Sequence, residues 1–279
     1  MKPVFVLVVE ILEVQLKRKG MASDSSRITF SDKTFLLLLL LTPPFSIRMP
    51  HSLMYWNGRG LAEPVRVMFN LAGVSFDDQR LNANPTGSTL EANLGRMPVL
   101  QVENKGTLGQ SLAMYYYVAS ELGFNGSNNF EAAQILSISE HLRELDIAYR
   151  KLFPWGTTPD EAALKDFFEN EEVNDFTGPA VQSGQGKRMM IWYLGRLNHI
   201  MPETGFSVGD KLSLADILLW KYFADATTTP EGKELAPFGS SSLMTAALAK
   251  FSKLNKIVEN VRNNEKLKEY IVKRGSQAF

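Results

Sequence analysis

The chain contains no cysteine among its 279 residues. This absence excludes disulfide bonds, thiolate metal sites and a cysteine nucleophile supplied by the protein itself. Any sulfur chemistry at this protein must therefore use a thiol that a ligand brings to it.

The chain also contains few histidines, and its positive and negative charges balance. The three histidines, His51, His141 and His199, lie far apart, and their spacing predicts no metal site. Lys plus Arg and Asp plus Glu number 30 each, so the formal net charge is zero. A neutral chain offers no electrostatic footprint for nucleic acid or for an anionic membrane. We therefore expect small molecules or proteins as partners, without nucleic acid and without stable membrane insertion.

The most informative stretch of the chain runs from Leu53 to Arg66. A short apolar run, predicted to be a strand over 52–55, ends on Tyr55 and leads into a turn rich in glycine. Glu63 and Pro64 then begin a helix, with proline at the first helical position and an acid in the first turn. This order presents a phenol at a strand end, where a ligand can reach it.

The following residues predict a regular alternation of strands and helices. The first helix ends at Gly73, and a second strand is expected within Val74–Leu81. Further on we predict a buried strand over Val99–Val102, a strand ending at Leu108, and a helix from Ser111 to Leu122. The order strand, helix, strand, looser helix, hairpin and helix is that of the thioredoxin-like fold.

Three motifs in order carry a resemblance to a known family. The string Tyr55–Glu63, then Gly95–Leu100, then Leu108–Ala113 together resemble the sigma-class glutathione S-transferases, a class that includes glutathione-dependent prostaglandin D synthase-like proteins. The resemblance covers roughly residues 52–275. It implies the cytosolic glutathione transferase fold, an α/β thioredoxin-like N-terminal domain plus an all-α C-terminal domain. The implied boundaries are 49–123 for the glutathione-binding domain, 124–130 for a linker and 131–279 for the helical domain.

The resemblance also implies a glutathione site. Tyr55 would be the catalytic residue, holding the sulfur of glutathione as a thiolate through its hydroxyl. Met97 and Pro98 match the position of a cis proline that turns backbone groups towards the cysteinyl unit. Gln110 and Ser111, at a helix start, match the site of the γ-glutamyl carboxylate. Arg96 could contact the ligand, although a solvated arginine is an equal alternative.

Further residues are implied for the second substrate and for the subunit interface. Trp56, Gly58 and Trp155 match positions that line the pocket for the electrophile. Glu144 or Asp146 matches an acid that reaches the ammonium of glutathione in the other subunit, although a charged helix surface is the default explanation of either residue. Two departures stand out: Leu61 replaces a usual arginine, and the loop 82–93 lacks the tryptophan and lysine that hold the glycine carboxylate.

The second half of the chain changes to a helical period. Apolar residues from Ile135 to Leu152 predict a long helix ending before Pro154. A second helix towards Phe176 is predicted to begin with a capping box at Thr158–Glu161, and a break is expected over Thr177–Gly186. Later helices are expected at 190–201 and 254–261, and a capping box from Ser213 to Asp216 opens another. Asp216 is therefore expected to be a folding residue and not a catalyst.

Residues 1–48 do not match the family, and Met49 lies where such a transferase would begin. The leucines from Leu36 to Leu41 form too short an apolar run to span a bilayer. Three interpretations stay open: a targeting or anchor segment, a translated upstream region absent from the working protein, or an extension packed on the domain.

The sequence thus predicts a cytoplasmic, homodimeric glutathione transferase of the detoxification type, with glutathione as co-substrate and hydrophobic electrophiles as partners. The same thiolate could serve a prostaglandin isomerase or a peroxidase. A non-catalytic transferase-like binding or structural protein is the alternative of a different class.

Overall fold

A computed structural model describes residues 51–83, 85, 88–171 and 188–277, which belong to one compact unit spanning Met49–Phe279. Residues 1–50 lie outside the described residues, so the three interpretations of that segment stay as they were. The expected break over 177–186 lies outside them as well. Within the described ranges, no helix is both long and apolar enough to cross a bilayer.

The first part of the chain forms a four-stranded sheet. The strands are β1 (His51–Trp56), β2 (Asp77–Leu81), β3 (Val99–Val102) and β4 (Gly106–Leu108), in the order β2-β1-β3-β4. β1 pairs in parallel with β2, placing Tyr55 opposite Arg80, and antiparallel with β3. β3 and β4 form an antiparallel hairpin. This mixed sheet with its helices confirms the predicted thioredoxin-like arrangement.

Two helices cover this sheet, and both begin and end where the sequence indicates. A short 3₁₀ turn (Gly60–Ala62) leads directly into α1 (Glu63–Ala72), which has Pro64 in its first turn and ends at Gly73 with φ +68°. Only glycine adopts that left-handed conformation without strain. α2 spans Ser111–Leu122. A second 3₁₀ segment, Ser88–Asn93, occupies the expected looser helix.

The remaining described residues are mostly helical. The helices are α3 (Asn129–Leu152), α4 (Glu161–Glu169), α5 (Met190–Ile200), α6 (Leu214–Phe223), α7 (Ser241–Leu248), α8 (Ser252–Arg262) and α9 (Glu265–Arg274). A two-stranded hairpin, β5 (Thr227–Thr228) with β6 (Glu234–Leu235), interrupts them. The helical class of this half is confirmed, while the hairpin and the helices α7 and α9 were not predicted.

α6 lies at the centre of the molecule. All ten of its residues are buried, and it packs against α1 of the first part and against α3 and α8 of the second. The predicted capping box is present: the Ser213 hydroxyl accepts from the Asp216 N–H, and the Asp216 carboxylate accepts from the Ser213 N–H at 2.8 Å. The helix therefore begins at a fixed residue, and Asp216 has the folding role that the sequence indicates.

The predicted start of α4 was wrong by two residues. Asp160, not Thr158, is the N-cap, and its side chain accepts from the Ala163 N–H at 2.9 Å. Aspartate competes well for this position because its carboxylate also interacts favourably with the positive end of the helix. α4 ends at Glu169, short of the expected Phe176. α3 begins at Asn129, where Asn128 caps it, so the first helical turn includes the end of the expected linker.

Candidate active site

Tyr55 lies one residue before the end of β1 and is half-buried. Its hydroxyl accepts a hydrogen bond from the Leu61 N–H at 3.3 Å. Burial raises the pKa of the phenol, and the Leu61 N–H and the charge of Arg66 act in the opposite direction. Tyr55 is therefore protonated at neutral pH. Because the hydroxyl accepts from the backbone, its own proton is available to a ligand atom.

The turn after β1 approaches the Tyr55 ring so closely that only glycine fits. Gly60 has φ +43°, and a Cβ added there would lie 2.5 Å from the Tyr55 hydroxyl oxygen and 2.8 Å from a ring carbon. The turn therefore forms one wall around the phenol. Gly60 determines where that hydroxyl can lie.

A second tyrosine holds the same turn from α2. The Tyr115 hydroxyl donates to the Leu61 carbonyl at 2.5 Å. Burial raises the pKa of Tyr115 well above its ordinary value, and a hydrogen bond with Ser111 opposes this shift. Ser111, Tyr115, Leu61 and Tyr55 thus form a continuous line of polar contacts. This line connects the residue that the sequence assigned to the γ-glutamyl carboxylate with the residue assigned to the thiol.

The predicted glutathione-binding residues lie around two backbone segments. The Met97–Pro98 peptide bond is cis, as expected, and it immediately precedes β3. Gln110 precedes the first residue of α2, Ser111, and has φ +61°. The Gln110 side chain does not cap the helix, so it leaves the N–H groups of the first turn available to an anion.

Arg96 is exposed, and its Nε donates to the Asn93 carbonyl at 3.3 Å. This contact holds the guanidinium group beside the Met97–Pro98 segment. The position is compatible with either role foreseen for Arg96, a ligand contact or a solvated side chain.

Asn93 joins the two backbone segments, a role that the sequence did not indicate. Its side chain is 5% exposed. The amide nitrogen donates to the Pro98 carbonyl at 2.9 Å, and the amide oxygen accepts from the Gln110 N–H at 3.0 Å. A polar residue in a loop rich in turn-formers carries no signal that separates it from its neighbours, so pattern reasoning missed it.

A network of buried charges fixes α1 from the far end of the chain. The Glu63 carboxylate accepts from Arg274 Nη1 at 2.5 Å and from the Tyr270 hydroxyl at 2.9 Å. Arg274 also pairs with Asp225 at 2.8 Å. All of these side chains except that of Tyr270 are at most 1% exposed. Buried charges are tolerated only when they are paired and hydrogen-bonded, as they are here.

Two arginines extend this network to the turn after Tyr55. Arg59 pairs with Asp225 at 3.0 Å and donates to the Leu235 carbonyl at 2.8 Å. Arg66 pairs with Asp78 at 2.9 Å and donates to the Gly58 carbonyl at 2.7 Å. The turn is therefore held by side chains from α1, the loop after α6, and α9.

The residues predicted to line an electrophile pocket lie on different elements. Trp56 ends β1 and is 39% exposed, whereas Trp155 follows α3 and is 63% exposed. The Arg150 guanidinium lies 3.4 Å from the centre of the Trp155 ring, a cation–π contact. Gly58 is buried, and its carbonyl is occupied by Arg66.

The two acids considered for a cross-subunit contact differ in their surroundings. Glu144 is exposed on α3. Asp146 is half-buried and lies 3.8 Å from Arg150, one helical turn further on. Asp146 also raises the pKa of the buried Lys221, so this carboxylate interacts with its own chain.

Lys221 is an unusual component of α6. Its side chain lies inside the molecule, and the ammonium nitrogen is 3.9 Å from the centre of the Tyr222 ring. Burial lowers the pKa of Lys221 to about 8, against the opposing effect of Asp146 and Asp225.

No cluster of three or more histidine or acidic side chains suited to a metal ion occurs in the described ranges.

Comparison with known proteins agrees with this architecture. Residues 187–274 match the family model described as glutathione S-transferase, C-terminal domain. The chain is 29% identical over 234 residues to glutathione S-transferase 3 of Caenorhabditis elegans, covering 82% of this chain and 99% of that protein. It is 26% identical over 231 residues to S-crystallin 4 of Enteroctopus dofleini, again covering 82% of this chain and 99% of that protein.

Solved structures of the same kind align with most of the chain. A monomeric glutathione S-transferase from the hookworm Necator americanus aligns with a TM-score of 0.60 at 25% identity, covering 82% of this chain and 99% of that chain. A Nu-class glutathione S-transferase from Haemonchus contortus aligns with a TM-score of 0.56 at 26% identity, covering 82% of this chain and 98% of that chain. The fold is that of the glutathione S-transferases, and the matches support membership of this family. The sigma-class assignment stays a prediction.

Proposed function

We propose that the protein is a glutathione transferase that conjugates glutathione to hydrophobic electrophiles, with Tyr55 as the catalytic residue. The observation that carries this proposal is the hydrogen bond from the Leu61 N–H to the Tyr55 hydroxyl. It leaves a protonated phenol at a strand end, beside two backbone segments suited to a peptide. A protein without cysteine can perform thiol chemistry only on a thiol that it binds.

Tyr55 would act as a donor and not as a base. A free thiol has a pKa of about 8.5, so only a few per cent is ionised near neutrality. A phenol that donates to the sulfur stabilises the anion over the neutral thiol. Lowering the thiol pKa by about two units requires about 2.7 kcal/mol, which is within reach of a charge-assisted hydrogen bond near a helix N-terminus.

The rest of the tripeptide would bind to the two segments that Asn93 joins. The Met97 backbone before Pro98 would pair with the cysteinyl unit as an added strand. Gln110, Ser111 and the first turn of α2 would hold the γ-glutamyl carboxylate. Arg96 would lie at the edge of this site.

The remaining expectations belong to the same proposal. Trp56, Gly58 and Trp155 would contribute to the electrophile pocket, and Glu144 or Asp146 would reach the ammonium of glutathione in a homodimer. The hookworm relative is described as monomeric, so the oligomeric state needs its own measurement. A cytoplasmic location and the sigma class complete the proposal.

A second candidate is a non-catalytic transferase-like protein. The similarity to several S-crystallins, whose name denotes no enzymatic activity, favours this candidate. The retained phenol at position 55 argues for the enzyme, because a purely structural protein has no use for a half-buried hydroxyl facing a ligand site. Isomerisation of an endoperoxide or reduction of a peroxide would start from the same thiolate. Isomerisation returns the thiol, whereas reduction of a peroxide to the alcohol and water oxidises two glutathione molecules to the disulfide.

The test compares the full chain with Tyr55→Phe and a matched control, Tyr116→Phe, whose hydroxyl lies on the exposed side of α2. We expect Tyr55→Phe to lower conjugation of glutathione to a chloronitrobenzene at least tenfold and to raise the pKa of the bound thiol. The control should match the wild type. Unchanged activity in Tyr55→Phe would refute the catalytic role, and a folded wild type that does not bind immobilised glutathione would favour the non-catalytic candidate.

A further inference from the structure

Asn93 presents one donor and one acceptor to two separate backbone segments. Its amide nitrogen donates to the Pro98 carbonyl at 2.9 Å, and its amide oxygen accepts from the Gln110 N–H at 3.0 Å. Of the side chains of this size, only an amide supplies both functions in one plane. Because the side chain is 5% exposed, water cannot readily replace either bond.

The segment at Gln110 needs such a contact. Gln110 has φ +61°, a left-handed conformation that costs free energy for any residue other than glycine. Such a conformation persists only when surrounding contacts hold it. The bond from the Gln110 N–H to Asn93 is one of these contacts.

The preceding glycine permits this close approach. A Cβ added to Gly109 would lie 2.2 Å from the Ala92 carbonyl oxygen and 2.8 Å from the Asn93 Cα. The backbone before α2 therefore lies directly on the end of the 3₁₀ segment. Gly109 and Asn93 together fix the distance between the start of β3 and the start of α2.

We propose that Asn93 is a positioning residue for glutathione. This inference rests on the proposed function, in which the Met97–Pro98 backbone and the start of α2 bind different parts of the tripeptide. Asn93 holds these two segments at a set separation, so that the cysteinyl and γ-glutamyl units of the ligand meet their partners together. The polar contacts of the Asn93 side chain are with Pro98 and Gln110, so the loss of this side chain acts on glutathione affinity and leaves the ionisation of the bound thiol unchanged.

The experiment measures glutathione binding by calorimetry for the full chain, Asn93→Ala and Asn93→Asp. We expect the dissociation constant to rise about tenfold in Asn93→Ala, because two buried hydrogen bonds to the backbone are lost. Asn93→Asp keeps the volume and therefore the packing, but its carboxylate cannot donate to Pro98, so its affinity should also fall. At saturating glutathione, the pKa of the bound thiol should match the wild type in both variants.

Asn198→Ala is the matched control. The Asn198 side chain also contacts two backbone groups, but within the helical part: its amide oxygen accepts from the N–H groups of Lys253 and Leu254 at 3.1 and 3.2 Å. It should lose stability to a similar extent and bind glutathione like the wild type.

The outcomes distinguish a failure of the positioning role of Asn93 from a failure of the proposed function. Wild-type affinity in Asn93→Ala, or an equal loss in Asn198→Ala, would overturn the positioning role. A shifted thiol pKa in the Asn93 variants would also contradict it, because the defect would then lie in the reaction and not in binding. If the wild type itself does not bind glutathione, the proposed function has failed, and the role of Asn93 falls with it.

Discussion

Tyr115 and Leu61 are joined by a hydrogen bond of 2.5 Å between the buried phenol and the backbone carbonyl. Leu61 in turn donates its N–H to the Tyr55 hydroxyl. The 3₁₀ turn is thus held between two tyrosines, one on α2 and one on β1. Leu61 stands where the resembled class carries an arginine, but its backbone, and not its side chain, makes the contact with Tyr55.

We predict that Tyr115→Phe weakens the proposed activity without abolishing it. Removing the hydroxyl leaves the Leu61 carbonyl without this donor, which should lower the free energy of unfolding by about 1 kcal/mol. The turn that faces Tyr55 is then held less firmly, and conjugation should fall by a factor of about three to ten. Steady-state kinetics and urea denaturation test this, with Tyr116→Phe as control. Wild-type kinetics in Tyr115→Phe would mean that the turn is fixed by other contacts.

Gly60→Ala should damage the site more severely. Its Cβ would lie 2.5 Å from the Tyr55 hydroxyl oxygen, so either the phenol or the turn must move. A displacement of about 1 Å at a reacting centre can cost about a hundredfold in rate. Gly123→Ala is the control, because Gly123 also has a positive φ, +82°, but no atom lies within 4 Å of an added Cβ. Comparable kinetics in the two variants would show that backbone strain alone explains the loss.

The buried Lys221 should make stability depend on pH. Its pKa is about 8 in the folded protein, against about 10.4 in an unfolded chain. Between these two pH values the unfolded state binds more protons than the folded state, so the free energy of unfolding rises with pH. Below about pH 8 the lysine is charged in both states, and the free-energy cost of burying that charge is fully present.

Replacing this lysine by methionine removes that dependence. The free energy of unfolding of the wild type should increase relative to Lys221→Met as the pH is raised from about 7 to about 10, by at most about 3 kcal/mol. Denaturation of both proteins across this range measures the difference, in which the titration of the tyrosines cancels. A constant or falling difference would contradict a depressed pKa.

Much of the fold could be predicted because its signals are local. Pro64 and Gly73 mark the two ends of α1, and Ser213 with Asp216 marks the start of α6. Such caps and breakers act within a few residues, so a sequence displays them directly. Asp160 shows the limit: the predicted cap, Thr158, lies two residues before the residue whose side chain accepts from the first turn of α4.

The contacts that organise the candidate site join residues that are far apart in the sequence. Glu63 and Arg274 are 211 positions apart, and Arg59 and Asp225 are 166 apart. No periodicity connects such residues, because their pairing arises only when the helices pack. Asn93 was missed for the same reason: its two partners are defined by the approach of two loops.

The pairing of Glu63 with Arg274 and Tyr270 makes α9 a part of the structure that supports the candidate site. A premature stop codon that removes α9 would deprive the buried carboxylate of Glu63 of two of its partners, directly after the turn that faces Tyr55. A truncation before α9 would thus act on a hydroxyl that is encoded about two hundred codons earlier.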